Sequence, residues 1–348
     1  MDRIVGCIDG SGRGVTEKQQ VAPPAPGQVQ VEVSASLISP GTELGRVAGM
    51  RQAPKPDNGA RPFGYACAGH VSAVGDGVDP TMVGARVACM GASYAQHASI
   101  NNVPVNLTAL IPDQISDEEG AFAHLAATAL HAIRRAAPVP GENAMVAGLG
   151  LVGQMAAQFV QSCGGHALGV DRMSMRVELA RTCGIERVVD ASQDDPVAMA
   201  ADFTSGWGMD YGIIAFGGNG TPAFEQIVET LKVSADGHQM GRVVIVGGAR
   251  IEHGFASALG NVDVRSASRT GPGYHDEAYE HGQEYPRGFV EWPTRRNLDE
   301  SLRAIVLGRL RVKPLITHQF PLSRIGDAID ELVERPDQAL GVVLQPGA

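Results

Sequence analysis

The pattern of apolar and polar positions changes character along the 348-residue chain. Up to about residue 115, short apolar runs alternate with polar residues, as at Val29, Val31 and Val33, and Gly and Pro turns separate them. An apolar residue at every second position is typical of half-buried β-strands. The first part of the chain is therefore predicted to form a barrel-like β domain.

A helix is predicted to follow, beginning after Ser116. Ser116 and Glu119 have the spacing of a capping box, in which each side chain bonds the backbone N–H of the other residue. The body of this helix is rich in alanine and ends near Pro138. We expect it to lead from the first domain into a second one.

Beyond Asn143 the chain alternates between apolar runs and amphipathic segments. The runs predicted as strands are residues 144–147, 167–170, 186–189, 211–215, 242–246 and 261–265. The helices predicted between them include residues 175–183, 197–203 and 222–233. Six strands separated by helices predict a doubly wound parallel sheet.

The first of these strands runs into a glycine-rich turn with the G-x-G-x-x-G spacing. In this fingerprint the first glycine permits a tight turn, the second leaves room for a pyrophosphate, and the third lets the helix pack on the strand. The N-terminus of the following helix favours an anion. Residues predicted to bind a dinucleotide here are Gly148, Leu149, Gly150, Leu151, Val152 and Gly153.

Asp171 ends the second strand, where a carboxylate accepts hydrogen bonds from an adenosine ribose. Its charge favours NAD(H), whereas Arg172 and Arg176 could accommodate the 2′-phosphate of NADP(H), so NAD(H) is preferred and NADP(H) stays open. Residues at the carboxyl ends of two later strands are expected near ribose and nicotinamide. They are Gly217, Asn219, Gly247 and Gly248.

Residues 266–297 concentrate aromatic and basic side chains with little periodicity. Flat rings and directional donors suit a polyhydroxylated ring or a phosphate, although a subunit interface or plain packing would use the same residues. The residues predicted to bind substrate are Tyr274, His275, Tyr279, Trp292, Arg295 and Asn297. A helix over 298–307, a helix over 325–333 and a strand over 341–344 are predicted to follow.

Composition narrows the class of protein. Hydrophobic residues make up 44% of the chain and charged residues 19%, as in soluble globular proteins. The net charge of −10 argues against nucleic acid or an anionic membrane as partner and leaves a small molecule. We find no long apolar run and no signal-peptide pattern at the N-terminus, so a cytoplasmic location is expected. Five scattered cysteines predict reduced thiols.

Three further stretches carry a family resemblance. Residues 38–43 read ISPGTE, residues 63–78 read FGYACAGHVSAVGDGV, and residues 84–91 read GARVACMG. With the glycine fingerprint, they resemble the medium-chain dehydrogenase/reductase superfamily over essentially the whole chain, in its subgroup with the I-S-P-G-T-E motif. Residues 271–297 resemble bacterial bi-domain oxidoreductases associated with sugar metabolism. The subgroup is also similar to bacteriochlorophyllide dehydrogenases and cyclitol reductases.

This resemblance implies an α/β fold with a GroES-like β-barrel catalytic domain and a Rossmann domain built on a doubly wound, parallel, six-stranded sheet. The implied boundaries are 1–125 for the first part of the catalytic domain, 126–265 for the Rossmann domain, and 266–348 for the return to the catalytic domain. Thr128, on the linker helix, is expected to contact the cofactor. Because relatives are commonly dimers or tetramers, a homo-oligomer is expected.

The zinc-ligand positions of the superfamily are changed in this chain. They correspond here to Ser39, to Tyr65 with Ala66, and to His124. Only His124 is an ordinary zinc ligand, and a catalytic zinc needs about three protein ligands. The cysteine-rich loop of the structural zinc is missing from the sequence as well. The departures predict a zinc-independent enzyme.

Without a metal, protein side chains must handle the charge on the substrate oxygen. Tyr65 and His124 are the candidate hydrogen-bond donors, although each could instead be a packing residue. Glu43 is a candidate second acid or acceptor of a substrate hydroxyl, or else a cap for residues 42–46. Ser39 is a weaker candidate, because a small residue there could simply make room.

Three functions remain open on this basis. The first is zinc-independent hydride transfer between NAD(P) and a carbonyl or alcohol of a sugar or cyclitol. The second is NAD(P)H-dependent reduction of the C=C bond of a conjugated cyclic enone, such as a cyclitol enone. The third is a non-catalytic nucleotide-binding protein, which would keep the fingerprint but would need no convergent donors.

Overall fold

The computed structural model describes residues 1–254 and 256–347. Its strands are β1 Asp2–Ile8, β2 Gly14–Gln20, β3 Gln28–Ile38, β4 Arg61–Pro62, β5 Ala66–Val74, β6 Arg86–Met90, β7 Ile100–Pro104, β8 Thr108–Leu110, β9 Asn143–Ala147, β10 His166–Asp171, β11 Arg187–Asp190, β12 Tyr211–Ile214, β13 Gly218–Asn219, β14 Met240–Val246, β15 Ala249–Arg250, β16 Asn261–Ala267, β17 Ile316–Pro321 and β18 Gly341–Gln345.

The helices are numbered in the same way. They are α1 Pro40–Glu43, α2 Val47–Gln52, α3 Asp117–Gly120, α4 Ala123–Ala136, α5 Leu151–Ser162, α6 Ser174–Thr182, α7 Pro196–Phe203, α8 Thr221–Thr230, α9 Ala256–Leu259, α10 Glu277–Glu280, α11 Thr294–Val306 and α12 Ile325–Glu334. Single 3₁₀ turns occur at Pro80–Met82, Val105–Leu107, Lys313–Leu315 and Leu322–Arg324. Among the described residues, no helix has the length and apolar character needed to span a membrane.

The chain forms two compact units. The first comprises residues 1–127, 270–308 and 315–348, and the second comprises residues 128–269 and 309–314. The sequence analysis placed the domain boundaries after residues 125 and 265 and assigned residues 266–348 to the first domain. It did not anticipate that residues 309–314 belong to the second unit.

A seven-stranded sheet forms the centre of the first unit, in the order β17-β18-β3-β5-β6-β8, with β7 also paired to β3. Strand β3 pairs with β7 through residues 28–32 and with β18 through residues 36–38, and its register with β5 shifts twice. Such irregularities bend a strand and increase its twist. The alternating residues Val29, Val31 and Val33 are buried, as predicted.

The second unit is built on a parallel sheet of six strands in the order β11-β10-β9-β12-β14-β16. This is the order of a doubly wound Rossmann sheet, in which ligands bind at the carboxyl edge where the strand order reverses, here between β9 and β12. The predicted fold class is therefore confirmed. Apolar residues of the strands and of α8, among them Ile214, Phe224 and Val243, form its core.

Two helix ends differ from the predictions, each for a local reason. Helix α8 ends at Thr230, before the predicted residue 233, because Leu231 becomes extended and bridges to Met209. Helix α11 begins at Thr294, before the predicted residue 298, directly after Pro293. The predicted capping box of Ser116 and Glu119 is present with both of its hydrogen bonds.

Candidate active site

The glycine-rich turn of the second unit has the geometry that its spacing predicts. Gly148 adopts a φ of 91°, in the region that favours glycine. A Cβ atom on Gly153 would lie 1.7 Å from the carbonyl oxygen of Gly148, so only glycine lets α5 approach the turn this closely. The first and third glycines are thus required by the fold itself.

Gly150 differs from the other two glycines because it faces open space. A Cβ atom on Gly150 would meet no described atom within 4 Å, and its φ of −66° is accessible to any residue. Gly150 precedes the first turn of α5, a helix of 12 residues, without a side-chain cap. The unpaired N–H groups of such a turn, next to an uncrowded glycine, fit a pyrophosphate.

Asp171 fastens the glycine-rich turn to the end of β10. Its Oδ2 atom accepts a hydrogen bond from the backbone N–H of Leu149 at 2.7 Å, and its Oδ1 atom accepts one from Met173 at 2.9 Å. Nη1 of Arg176 lies 3.7 Å from the same carboxylate, while Arg172 is exposed. Because each carboxylate oxygen accepts two hydrogen bonds, Asp171 keeps the capacity to bind ribose hydroxyls.

The other predicted cofactor residues lie at the same carboxyl edge or on the linker helix. Gly217, Gly247 and Gly248 are exposed, and a Cβ on any of them would meet no described atom within 4 Å. Asn219 Oδ1 accepts a hydrogen bond from Thr221 N at 3.1 Å and so caps the start of α8. Thr128 lies half-buried on α4. Their contacts with a cofactor stay a prediction.

In the first unit, Tyr65 and His124 lie against each other. Their ring centroids are 4.7 Å apart in an edge-to-face arrangement. Nδ1 of His124 lies 2.7 Å from the carbonyl oxygen of Tyr65. Tyr65 directly precedes β5, and His124 stands in the first turn of α4, so the strand and the helix hold the pair together.

The hydrogen bond of His124 defines its tautomer. A carbonyl oxygen only accepts, so Nδ1 carries the proton and Nε2 carries a lone pair. Burial lowers the pKa of His124 to about 4, although the bond to Tyr65 opposes the shift. At neutral pH, Nε2 is therefore a hydrogen-bond acceptor, and the donor role predicted for His124 is corrected.

Tyr65 keeps its proton over the whole working pH range. Burial raises the pKa of its phenol well above the usual value, and the negative charge of Glu43 raises it further. Hydrogen bonding with the side chains of Ser39 and Thr42 works in the opposite direction. Ser39 is thus a partner of the Tyr65 hydroxyl and does more than make room, and Thr42 is a neighbour that the sequence interpretation missed.

Glu43 is buried beneath this site. Its Oε2 atom accepts a hydrogen bond from the backbone N–H of Ser39 at 2.6 Å, so the carboxylate caps the start of α1 and not residues 42–46. Its Oε1 atom lies 3.5 Å from Nε2 of His97, with 4% and 0% of the two side chains exposed. The sequence analysis assigned no role to His97, because no local spacing connects it to residue 43.

Two residues of the predicted substrate segment lie beside the Tyr65–His124 pair. The ring of Tyr274 is 6.4 Å from that of His124 and 3.9 Å from that of His275. The Tyr274 hydroxyl accepts a hydrogen bond from Ala92 N at 2.7 Å, which fixes the ring. The fold thus brings Tyr65, His124, Tyr274 and His275 into one group.

The remaining residues of that segment make contacts typical of packing. The buried Tyr279 accepts a hydrogen bond at its hydroxyl from Arg295 N, and Arg295 Nη1 donates to Asn106. Asn297 is buried and donates to the Thr270 carbonyl, and Trp292 packs beneath the guanidinium of Arg296. Substrate binding by Tyr279, Trp292, Arg295 and Asn297 stays a prediction that these contacts do not support.

The chain is similar to known dehydrogenases and oxidoreductases. Residues 152–277 match the family model of the zinc-binding dehydrogenases. Sorbitol dehydrogenase of Bacillus subtilis is 24% identical over 82% of this chain and 82% of its own length. A quinone oxidoreductase of Salmonella typhimurium is 28% identical over 41% of this chain and 45% of its own length.

A solved structure shows the same fold over nearly the full length. It is that of an alcohol dehydrogenase from Escherichia coli CFT073 in complex with NADH, with a TM-score of 0.77 over 99% of each chain at 16% identity. The relatives are named dehydrogenases and oxidoreductases, all of them enzymes.

Proposed function

We propose that this chain, a homologue of the medium-chain dehydrogenases and reductases and an NAD(P)-dependent oxidoreductase of that superfamily, transfers hydride to or from a carbonyl or alcohol carbon of a polyhydroxylated ring without zinc. One observation carries the proposal: a protonated tyrosine and a neutral histidine pack against each other, at positions to which the family resemblance assigns metal ligands. The relatives' names speak against the third possibility, a nucleotide-binding protein without activity.

The side chains at the metal position do not fit zinc. Nδ1 of His124 is bound to a carbonyl oxygen, and the carboxylate of Glu43 is turned toward Ser39 N–H and His97. Within the described part of the chain, no three His, Cys, Asp or Glu side chains form a group that could hold a metal. A catalytic zinc needs about three such ligands, and no step of the proposed reaction uses one.

Tyr65 is the proposed partner of the reacting oxygen. A bound nicotinamide supplies or accepts the hydride. As negative charge develops on a substrate oxygen, the Tyr65 phenol donates its hydrogen bond to that oxygen, and Ser39 and Thr42 orient the phenol. The Tyr65 phenol gives its proton to this oxygen when the carbonyl is reduced, and water returns a proton to the phenolate; oxidation of the alcohol follows the same steps in reverse.

His124 and Tyr274 account for the proposed substrate class. A neutral imidazole whose Nε2 accepts hydrogen bonds recognises a hydroxyl group, and a fixed tyrosine ring offers a flat face to a sugar or cyclitol ring. The similarity to a sorbitol dehydrogenase supports a polyhydroxylated substrate. NAD(H) is the preferred cofactor, because the Asp171 carboxylate would repel a 2′-phosphate.

Reduction of a conjugated C=C bond is the second candidate, and the similarity to a quinone oxidoreductase favours it. A hydrogen bond from Tyr65 would then polarise the carbonyl, hydride would go to the β-carbon, and solvent or a side chain would protonate the α-carbon.

The two reactions leave different products. Purified protein is incubated with NADH or NADPH and either a cyclitol enone or the matching saturated ketone. The proposal predicts an allylic alcohol from the enone and an alcohol from the ketone. Loss of the enone chromophore with formation of the saturated ketone would select the second candidate. Absence of cofactor oxidation with every polyhydroxylated carbonyl, despite dinucleotide binding, would contradict both.

A further inference from the structure

A buried acid and a buried imidazole face each other behind the proposed site. Oε1 of Glu43 and Nε2 of His97 are 3.5 Å apart. Both atoms are buried and have no hydrogen-bond partner in the part of the chain that the structure describes, so each is the nearest group of opposite character to the other. An isolated buried carboxylate is costly, so the carboxylate and the imidazole stabilise each other only if both keep these positions.

His97 is held in place from several sides. Its backbone N–H donates to the Phe63 carbonyl at 3.0 Å, and its own carbonyl accepts from Gly6 N at 2.6 Å. Nδ1 lies 2.9 Å from the hydroxyl of Ser36, a fully buried residue of β3. At Gly64 a Cβ atom would lie 2.4 Å from His97 N, so the chain just before Tyr65 passes directly against this histidine.

These contacts form a continuous chain that ends at the reacting phenol. Ser36 contacts His97, His97 faces Glu43, and the other oxygen of Glu43 binds the backbone of Ser39. The side chains of Ser39 and Thr42 hydrogen-bond with the Tyr65 hydroxyl. A shift of the Glu43 carboxylate would therefore move the turn that orients Tyr65.

We propose that His97 is a positioning residue, which holds the Glu43 carboxylate from behind and thereby fixes the turn at residues 39–43 against the Tyr65 phenol. Facing a carboxylate, Nε2 of His97 carries a proton, and Nδ1 is bound to the Ser36 hydroxyl. The role of His97 in catalysis rests on the proposed function, whereas its pairing with Glu43 can be measured without any substrate.

The pairing is tested by NMR of imidazole nitrogens in protein labelled with ¹⁵N-histidine, with His97→Gln used to assign the signal. We expect a proton on Nε2 that is protected from exchange in the wild type and loses that protection in Glu43→Ala. A proton on Nδ1 alone, or a signal that Glu43→Ala leaves unchanged, would overturn the proposal.

The effect on the reaction is tested with two replacements of similar size. Gln can still donate a hydrogen bond to Glu43, whereas Leu cannot. His97→Leu is expected to lower kcat about 100-fold at unchanged dinucleotide affinity, as a small misplacement of a reacting group does, and His97→Gln to lower it less than about fivefold. Equal kcat values in the two variants would contradict a positioning role.

Thr108→Val is the matched control, because Thr108 is another buried residue of the first unit whose hydroxyl donates one hydrogen bond, to Val105. It should lower the melting temperature without lowering kcat.

If no carbonyl compound is turned over by the wild type, the proposed function fails while the NMR result still decides the pairing. If Tyr65→Phe abolishes turnover and His97→Leu does not, the function stands and the positioning role fails.

Discussion

At the scale of single residues, Tyr65 and His124 have opposite hydrogen-bonding capacities. Burial raises the pKa of the phenol and lowers that of the imidazole, because it disfavours the charged form of each. Both groups are consequently neutral at pH 7, one with a proton to donate and the other with a lone pair. A pair of this kind can bind a carbonyl and a neighbouring hydroxyl at the same time.

Replacing Tyr65 by Phe removes the only donor assigned to the reacting oxygen. We expect kcat to fall about 100- to 1000-fold, which is typical of losing one preorganised donor, with dinucleotide affinity unchanged. Steady-state kinetics and fluorescence titration with NADH measure the two quantities. Tyr285→Phe is the control, because that hydroxyl also donates one hydrogen bond, to Asp276, and lies in the same unit. Full turnover by Tyr65→Phe would remove Tyr65 from the mechanism.

His124 is expected to make the protein sensitive to acid. Its pKa is about 4 in the folded state, against 6.5 for an unperturbed histidine, so the unfolded chain binds the proton more tightly. Stability from this group is present above pH 6.5 and is lost as the pH falls toward 4. Between pH 7.5 and 5 the loss should be about 2 kcal/mol.

Urea denaturation at pH 7.5 and pH 5 measures this loss, and His124→Gln should reduce the difference between the two pH values. His131→Gln is compared with His124→Gln in the same denaturation experiments, because His131 lies on the same helix and burial lowers its pKa as well. An unchanged pH dependence in His124→Gln would show that His124 does not titrate in this way.

At the scale of elements, the three glycines of the glycine-rich turn have different roles. Gly148 supplies a positive φ, and Gly153 permits contact between helix and turn. Neither a positive φ nor a close contact between helix and turn requires glycine at position 150, because Gly150 has ordinary backbone angles and open space in front of it. The fold therefore does not require the free volume at Gly150, and the dinucleotide is its proposed occupant.

Two glycine substitutions separate these duties. Gly150→Val should leave the melting temperature nearly unchanged and weaken dinucleotide binding at least about 100-fold, because its side chain occupies the space of the pyrophosphate. Gly153→Ala should instead destabilise the protein, since its methyl group would overlap the Gly148 carbonyl. Calorimetry gives both quantities, and normal NADH affinity in Gly150→Val would refute the binding mode.

Elements were predicted well where a pattern repeats. The six strands of the second unit and the capping box at Ser116 follow from short-range periodicity and spacing. Helix α1 was not predicted, because four residues are too few to show a period. The first turn of α11 was not predicted, because its residues belong to the polar segment before residue 298, which shows little periodicity.

At the scale of the whole molecule, the side chains at residues 39, 65 and 124 lead us to predict an enzyme that works without zinc. Dialysis against a strong chelator should leave turnover and melting temperature unchanged, and elemental analysis should find less than about 0.1 zinc per chain, since a catalytic site needs about three ligands. Stoichiometric zinc whose removal abolishes turnover would contradict the proposed mechanism.

By itself, the sequence determined the alternation of strands and helices, the glycine-rich turn with Asp171, and the presence of Ser39 and Tyr65 at two positions where the family resemblance leads one to expect zinc ligands. These features depend on neighbours within about 20 residues or on a match of motifs. Only the tertiary structure decided that Nδ1 of His124 bonds to Tyr65, that Glu43 faces His97, and that Tyr279 is buried.

The physical reason is distance along the chain. Tautomers, pKa shifts and buried pairs depend on which atoms of remote segments come within about 4 Å and how much water is excluded there. Glu43 ends helix α1 and His97 lies in the loop between β6 and β7, and no period or spacing connects them. Packing around β3 and β5 brings them together behind Tyr65.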